Sequence, residues 1–220
     1  MRKYSNCSPR KGLTVLEILV VIFTLTVLVA LLLPVMNHGP APFNASCLMN
    51  QKQCALGFIM FQSDNNNQHP WDLAVTNSAY LPGCTNGDAA ADFNELQGGY
   101  IKTPAIFVCP TDPDRTVRAD LSPLKNLNLS YGAGYDTGSN VSANILTLDR
   151  HLLADGNPVS PGLFLYSTNK TMVWSLELHR SSAPRGVMSF YDGHAEIIPG
   201  TKINMAFQRE GLAQARFAVP

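Results

Sequence analysis

The sequence has little charge and no excess of either sign. Charged side chains make up 15% of the 220 residues, and 16 lysines and arginines balance 16 aspartates and glutamates. The body of the chain has no basic run, so the sequence lacks the electrostatic footprint of a nucleic-acid-binding protein. We therefore expect no DNA or RNA partner.

Motifs of the common catalytic and nucleotide-binding folds are also missing. The sequence has no Gly-x-Ser-x-Gly elbow, no zincin helix, no P-loop and no Rossmann fingerprint. Serine, histidine and aspartate all occur, but no pattern among them argues for catalysis. We therefore predict no enzymatic activity, no catalytic residue and no cofactor, apart from the calcium candidates described below.

A long apolar stretch lies near the N-terminus. Residues Leu13 to Leu33 include a single charge, Glu17, in 21 positions. As a helix rising ~1.5 Å per residue, this stretch is about 31 Å long, the thickness of a hydrocarbon core. Cleaved secretory signals usually have apolar cores of only about 7–15 residues. The stretch therefore predicts a membrane span, with an ordinary signal anchor or a secretory signal as alternatives.

The residues before this stretch predict its orientation. Four of them are basic, namely Arg2, Lys3, Arg10 and Lys11, and by the positive-inside rule they keep the N-terminus in the cytoplasm. Without them the chain has 12 positive and 16 negative side chains, a net charge of about −4. The outward-facing body has roughly 185 residues, enough for one compact domain.

Glu17 lies where a charge is unfavourable, because an ionised side chain in lipid costs about 2.5 kcal/mol or more without a partner. It follows Gly12 by five positions, and Arg10 and Lys11 precede that glycine. This pattern resembles the signal of prepilins, the precursors of type IV pilins and type II secretion pseudopilins.

The resemblance implies that a prepilin peptidase cuts between Gly12 and Leu13 and methylates the new amine of Leu13. It also implies that Glu17 meets the N-terminal amine of a neighbouring subunit during assembly. A carboxylate one turn into the helix would offset that amine at the positive end of the helix dipole. The implied partners are other pilin or pseudopilin subunits, the assembly platform and its ATPase. The implied location is the inner membrane, with a periplasmic head and a filament in the periplasm or at the cell surface.

Prolines and glycine follow the span at Pro34, Gly39, Pro40 and Pro42, and they exclude an uninterrupted helix. We predict four parts: a leader at 1–12, an anchor helix at 13–36, a neck at 37–46 and a head at 47–220. An unremarkable loop is the alternative interpretation of the neck.

A second helix is predicted from about Cys47 to about Ser63, capped by Asn44 or Ser46. Its apolar residues form two adjacent stripes that make one wide face for packing on a sheet. The stripes consist of Leu48, Ala55 and Ile59, and of Cys47, Cys54, Phe58 and Phe61. The polar run from Asp64 to Trp71 would end the helix.

Four cysteines remain after the leader, which contains Cys7. Cys47 and Cys54 would lie about 10.5 Å apart along the helix, too far for a mutual disulfide. We favour Cys47 with Cys109 and Cys54 with Cys84, the arrangement of an exported protein. Free thiols and a zinc site are the alternatives, although no Cys-x-x-Cys pair is present.

Several segments resemble a large group of pilin-like proteins that is common in planctomycete and verrucomicrobial lineages. In that group a cysteine, an Asn/Gln-Lys-Gln triplet and an Asp-Asn turn before a proline recur as they do in residues 47–70. Its Cys-Pro-Ser/Thr-Asp corner matches residues 109–112, and its Ser-Tyr-Gly strand matches residues 130–132. Its His-spacer-Asp-Gly motif is matched loosely by His179 and Asp192-Gly193, because twelve residues intervene here.

The fold class that we predict is α+β and pilin-like. An apolar N-terminal helix, interrupted near residues 34–45, precedes a second helix packed on a small antiparallel sheet with long loops. The C-terminal part predicts a strand at Thr171–Glu177, a hairpin of Gly186–Tyr191 and His194–Ile198 across Asp192-Gly193, and a final helix at Ile203–Arg216. The middle predicts a short helix at Asp88–Leu96 and a short strand at Ile106–Cys109.

Possible ligand residues occur in three places. Asp64, Asn65 and Asn66 offer the oxygen atoms that calcium prefers, but a helix-ending turn explains them equally. Asp149-Arg150-His151 and Asp155-Gly156 could form a ligand cluster, and we prefer a salt-bridged loop. Asp192-Gly193 is explained by a hairpin turn, with His179 and His194 near it.

Three functional hypotheses follow from the sequence. The first is a structural subunit of a type II secretion pseudopilus or type IV pilus-like filament. The second is a minor pilin-like, membrane-anchored binding module whose head recognises a substrate or surface. The third is a membrane-anchored enzyme, which a metal bound near His179 and His194 would favour.

Overall fold

The computed structural model describes residues 12, 14–32, 41–76, 87–136, 145–177, 183–209 and 213–220. The chain divides into two compact units, Met1–Ala41 and Pro42–Pro220. Helices and antiparallel sheets make up the fold, so the predicted α+β class is confirmed.

Helix α1 (Val15–Leu32) lies in the first unit. Glu17 is its single charged residue, and its large apolar side chains between Val15 and Val29 are 42–80% exposed. No helix in the described part of the chain is both long enough and apolar enough to cross a membrane. The predicted span also included Leu13 and Leu33, which lie outside the described residues.

Helix α2 (Ala41–Asp64) begins earlier than the sequence predicted. Pro42 is tolerated in its first turn, because amides there have no partner within the helix. The prediction that Asn44 or Ser46 caps this helix is therefore wrong, and so is a neck that extends to residue 46. Residues 37–40 of that neck lie outside the described residues.

The predicted apolar face of α2 is confirmed. Cys47, Cys54, Ala55, Phe58 and Phe61 are buried, and Leu48 and Ile59 pack against the same core. The helix ends in residues with left-handed backbones, Asn66 at φ 55° and Asn67 at φ 60°. Asparagine tolerates this conformation better than most residues, which explains where the helix stops.

Three further α-helices in the described residues are short: α3 (Pro70–Thr76), α4 (Ala89–Asn94) and α5 (Ile203–Arg209). The predicted helix near Asp88 is confirmed as α4, and Asp88 caps it by accepting a hydrogen bond from the amide of Ala90 at 3.2 Å. The predicted strand at Ile106–Cys109 is wrong. Residues Pro104–Phe107 form a 3-10 helix, which proline favours at its first position.

Nine described strands form two antiparallel sheets. They are β1 (Tyr131–Gly134), β2 (Ile145–Asp149), β3 (Leu152–Ala154), β4 (Asn157–Pro158), β5 (Gly162–Ser167), β6 (Met172–Trp174), β7 (Arg185–Phe190), β8 (Ala195–Pro199) and β9 (Gln214–Val219). The large sheet has the order β5-β9-β1-β2-β7-β8, and the small sheet has the order β4-β3-β6. The predicted strand at 171–177 is thus confirmed over three residues.

The large sheet separates two cores. Side chains from one face, such as Tyr131 and Val187, pack with α2. Side chains from the other face, such as Met188 and Phe217, pack with α5 and the small sheet. Alternation along strands such as β7 explains this division, because neighbouring residues point to opposite faces.

Two predictions concern the C-terminal segment, a hairpin and a final helix; the first is confirmed and the second is wrong. The hairpin of β7 and β8 forms across Asp192-Gly193, and Gly193 has the positive φ of 83° that the turn requires. The predicted helix at Ile203–Arg216 ends at Arg209, and β9 follows. Its alternating pattern, with Gln214 and Arg216 exposed and Ala215 and Phe217 buried, is that of a strand.

Candidate functional site

Thr14 and Glu17 cap the start of α1 reciprocally. The Thr14 amide donates to Glu17 Oε2 at 2.8 Å, and the Thr14 hydroxyl donates to the same oxygen at 3.0 Å. In return, the Glu17 amide donates to Thr14 Oγ1 at 3.3 Å. This arrangement is a capping box, which the Thr-x-x-Glu spacing could have revealed but our sequence analysis missed. Glu17 therefore has a partner in its own chain.

The predicted cleavage site precedes this box. Gly12 is exposed, and a Cβ atom added to it would meet nothing within 4 Å. Leu13 lies outside the described residues.

The side surface of α1 beyond Glu17 is apolar. Its two threonine hydroxyls donate to carbonyls of the same helix, from Thr24 to Val21 at 2.9 Å and from Thr26 to Phe23 at 2.8 Å. These hydroxyls are therefore satisfied internally.

The disulfide predicted between Cys47 and Cys109 is confirmed, with the two Cα atoms 5.0 Å apart. It links α2 to the loop after the 3-10 helix across 62 residues of sequence. The predicted pair of Cys54 and Cys84 is wrong, because Cys54 is a free, fully buried thiol. Burial raises the pKa of this thiol and makes it unreactive. Cys84 lies outside the described residues.

The loop that follows Cys109 is held by Arg150. The guanidinium donates to both oxygens of Asp112 at 2.8 Å and to Asp114 Oδ2 at 2.7 Å. Burial favours the neutral form of Asp112, but the hydrogen bonds and charge of Arg150 hold the pKa of this carboxyl well below its usual range. The preferred salt-bridged loop is therefore confirmed at Arg150.

One group of described residues has metal-ligand chemistry. Asp112, Asp114 and His151 have ligand atoms within 4.8 Å of one another. Arg150 already bonds both carboxylates, so a metal ion would have to displace its guanidinium. We assign the group to the ion-pair network.

Asp155, which the sequence offered as a further ligand, is not part of this group. It lies in a tight turn with φ 52°, and its Oδ1 accepts from the Thr171 amide at 2.8 Å.

A buried polar network that the sequence did not predict fixes α2 on the large sheet. Gln51 donates to Asp149 Oδ1 at 2.7 Å and accepts from the Thr147 hydroxyl at 2.9 Å. The Thr147 hydroxyl also pairs with that of Ser189, and Asp149 Oδ2 accepts from the Val187 amide at 2.6 Å. All four polar side chains are fully buried. Because each must be satisfied, the network specifies one register of helix on sheet.

The residues considered as calcium ligands, Asp64, Asn65 and Asn66, form contacts at the end of α2. Asp64 Oδ2 accepts from the Tyr100 hydroxyl at 3.1 Å, and Asn65 Nδ2 donates to the Phe61 carbonyl at 2.8 Å. Asn66 supplies a left-handed backbone. These contacts fit the helix-ending role that the sequence offered as the alternative.

The Asp-Gly turn also has the structural role that the sequence favoured. Asp192 Oδ1 accepts from the His194 amide at 3.0 Å, and the His194 ring stacks on Phe190 with centroids 4.3 Å apart. His179 lies outside the described residues.

Comparisons of the chain with protein-family models, with curated proteins and with solved structures find no match.

Proposed function

We propose that this chain is a structural subunit of a type II secretion pseudopilus or a type IV pilus-like filament. Prepilin peptidase cuts it between Gly12 and Leu13, and it assembles through its N-terminal helix. The observation that carries the proposal is Glu17, the single charge on α1, in the first turn of an otherwise apolar helix. A charge in that position is tolerated where a specific partner meets it.

The geometry at Glu17 supports a second partner. Both described bonds from Thr14 end on Oε2. An ionised carboxylate accepts through both oxygens, so Oε1 is available to a further donor. In the assembled filament, that donor is the methylated amine of Leu13 from a neighbouring subunit. The capping box and the intersubunit pair then coexist on one carboxylate.

The second unit supports the proposed location. Its disulfide between Cys47 and Cys109 is the kind of bond that persists in oxidising compartments such as the bacterial periplasm. Its helix α2 on an antiparallel sheet suits a pilin-like head. We therefore place the head in the periplasm and the leader in the cytoplasm, with α1 anchored in the inner membrane before assembly.

Mass spectrometry of the mature N-terminus tests the processing step. We expect a protein that begins with methylated Leu13, and we expect Gly12→Val to remain uncut, because a bulky side chain obstructs the peptidase. Tyr4→Val in the same leader is a control that leaves cleavage unchanged. A wild-type protein that remains intact from Met1 would sink the proposal.

The second candidate is a minor pilin-like binding module, in which the anchor places the head near a substrate. An open groove on the head, lined by residues 196–199, Lys202, Met205, Ala206 and Arg209, favours it. Co-purification of the wild-type head with exported polypeptides would support this function without contradicting assembly.

A further inference from the structure

A groove lies between β8 and α5 at one end of the large sheet. Its volume is about 470 Å³, and residues 196–199 line it together with Lys202, Met205, Ala206 and Arg209. Because β8 is the last strand of the sheet order, the groove runs along a strand edge. Edge strands expose backbone groups that can pair with another chain.

The hydrogen-bond pattern identifies the backbone groups on this edge. The Phe190 amide donates to the His194 carbonyl at 2.9 Å, and the Gly200 amide donates to the Pro184 carbonyl at 2.8 Å. In an antiparallel ladder every second residue pair is bonded, and the register between these two bonds is regular. Glu196 and Ile198 therefore bond to β7, whereas Ala195 and Ile197 direct their backbone groups outward.

These outward groups are open. Among the described residues, no hydrogen bond reaches the backbone of Ala195 or Ile197 from outside the hairpin. Pro199 ends the edge, because it has no amide to donate. The open stretch is short and accommodates a few residues of an added strand.

The opposite edge of the same sheet is protected. On β5, Lys170 Nζ donates to the Leu165 carbonyl at 3.0 Å and lies 4.7 Å from the centroid of the Phe164 ring. A lysine over an edge strand is a common device against unwanted pairing. Lys202 beside β8 bonds no described group, so the two edges of the sheet differ.

The surroundings of β8 suit particular side chains. Met205 is 53% exposed on the helical wall, and Ile197 is 38% exposed on the opposite face of the strand. An added strand would place alternate residues beside each of them. Glu196, the acidic residue that lines the groove, is already paired with Arg209. The charge of Lys202 therefore has no counterion among the described residues.

We propose that the edge of β8 binds an extended peptide segment of a separate polypeptide by strand addition, with an acidic residue of that segment beside Lys202. Backbone bonds to Ala195 and Ile197 supply the pairing, and apolar residues contact Met205 and Ile197. This site does not depend on filament assembly, because it lies wholly within the second unit.

The first test uses synthetic peptides and the full chain in detergent. A blocked nonapeptide of alternating valine and threonine carries Asp at its centre, and a matched peptide carries Lys there. By fluorescence anisotropy we expect the Asp peptide to bind about tenfold more tightly than the Lys peptide. Absence of binding by the Asp peptide at millimolar concentration would overturn the proposal.

The second test separates strand addition from other binding. Two N-methylated versions of the Asp peptide are made. One copy is methylated at its odd-numbered residues, and the other copy is methylated at its even-numbered residues. We expect one copy to lose binding and the other to keep it, because only one set of amides faces β8. The retained peptide should protect the amides of Ala195 and Ile197 from hydrogen exchange. Equal binding by both copies would exclude the site.

Substitutions in the protein provide the third test. Lys202→Glu should remove the preference for the Asp peptide, whereas the control Lys102→Glu, in the loop after Ile101 and outside both sheets, should leave it unchanged. Both lysines are exposed, so both variants are expected to fold. If sedimentation shows a wild-type dimer that Lys202→Glu dissociates, the occupant is a second copy of this chain and the proposal is wrong.

Discussion

Gln51 in α2 and Asp149 in β2 share a fully buried hydrogen bond of 2.7 Å, although 98 residues separate them in sequence. Gln51→Ala removes a donor to the carboxylate and an acceptor for Thr147. Removing one partner from a buried hydrogen-bond network costs about 1–3 kcal/mol, so we expect the free energy of unfolding to fall by that amount. Urea denaturation followed by tryptophan fluorescence measures it. The exposed neighbour Gln53→Ala serves as control, with a change below about 0.5 kcal/mol.

The disulfide gives a second prediction. Closing a loop of 62 residues should contribute about 4 kcal/mol in the chain-entropy model. We expect the double variant Cys47→Ser, Cys109→Ser to lose about that much stability, and we expect a reductant to have no further effect on it. Cys54→Ala is the control, because Cys54 is free: this variant should remain sensitive to reductant. A non-reduced peptide map that joins Cys47 to another cysteine would contradict the assignment.

His69 predicts a dependence of stability on pH. The side chain is buried and stacks on Trp71 with centroids 4.5 Å apart, and burial lowers the pKa of His69 from 6.5 to about 4. Above pH 6.5 neither the folded nor the unfolded chain binds a proton at His69, so this residue adds no pH dependence to the free energy of unfolding there. As the pH falls towards 4, the unfolded chain binds a proton that the folded chain excludes, and stability falls by at most about 3 kcal/mol.

The variant His69→Phe keeps an aromatic ring beside Trp71 and removes the titration. We expect the difference in unfolding free energy between wild type and variant to change with pH only below about 6.5. The matched variant Gln53→Phe adds an aromatic ring at an exposed position that has no titrating group, and it should leave the wild-type acid dependence below pH 6.5 intact. A pH-independent difference for His69→Phe would show that His69 is not excluded from protonation.

Arg150 provides the counterion for a buried carboxylate. Arg150→Gln leaves Asp112 without its guanidinium, and breaking a buried pair in this way costs about 3–5 kcal/mol. Arg118→Gln is the control, because the carboxylate that Arg118 pairs with, Asp120, is 68% exposed, whereas the side chain of Asp112 is fully buried. Since the folded pKa of Asp112 is lowered, its stabilising effect is present above pH ~4 and is lost at lower pH. The Arg150→Gln variant should show a weaker loss of stability in acid than wild type.

Local patterns predicted the parts of the fold that local physics determines. The apolar face of α2 follows from helical spacing, and the hairpin at Asp192-Gly193 follows from turn chemistry. The capping box at Thr14 and Glu17 is equally local, because its two residues are three positions apart and the Thr-x-x-Glu spacing indicates it. The start of α2 was missed because Pro42 was interpreted as a break, although proline is accepted in a first turn.

Long-range relationships could not be derived in the same way. The network of Gln51, Thr147, Asp149 and Ser189 joins residues from three elements, and no periodicity connects them. The pairing of Arg150 with Asp112 depends on the fold that brings the loop after Cys109 to the sheet. The six-residue strand β9 was predicted as helix, because the helical pattern that begins at Ile203 was extended through it to Arg216.

The central claim, that the charge of Glu17 pairs with a neighbouring subunit, is tested most directly by Glu17→Gln. Glutamine at this position retains the capping box with Thr14, so the variant removes the charge and preserves the helix start. The measurement is the fraction of processed protein recovered in sheared filaments. We expect Glu17→Gln to be cleaved after Gly12 like wild type and its recovery in filaments to fall at least about tenfold, the equivalent of one lost ion pair in lipid. Recovery equal to that of wild type would contradict the account.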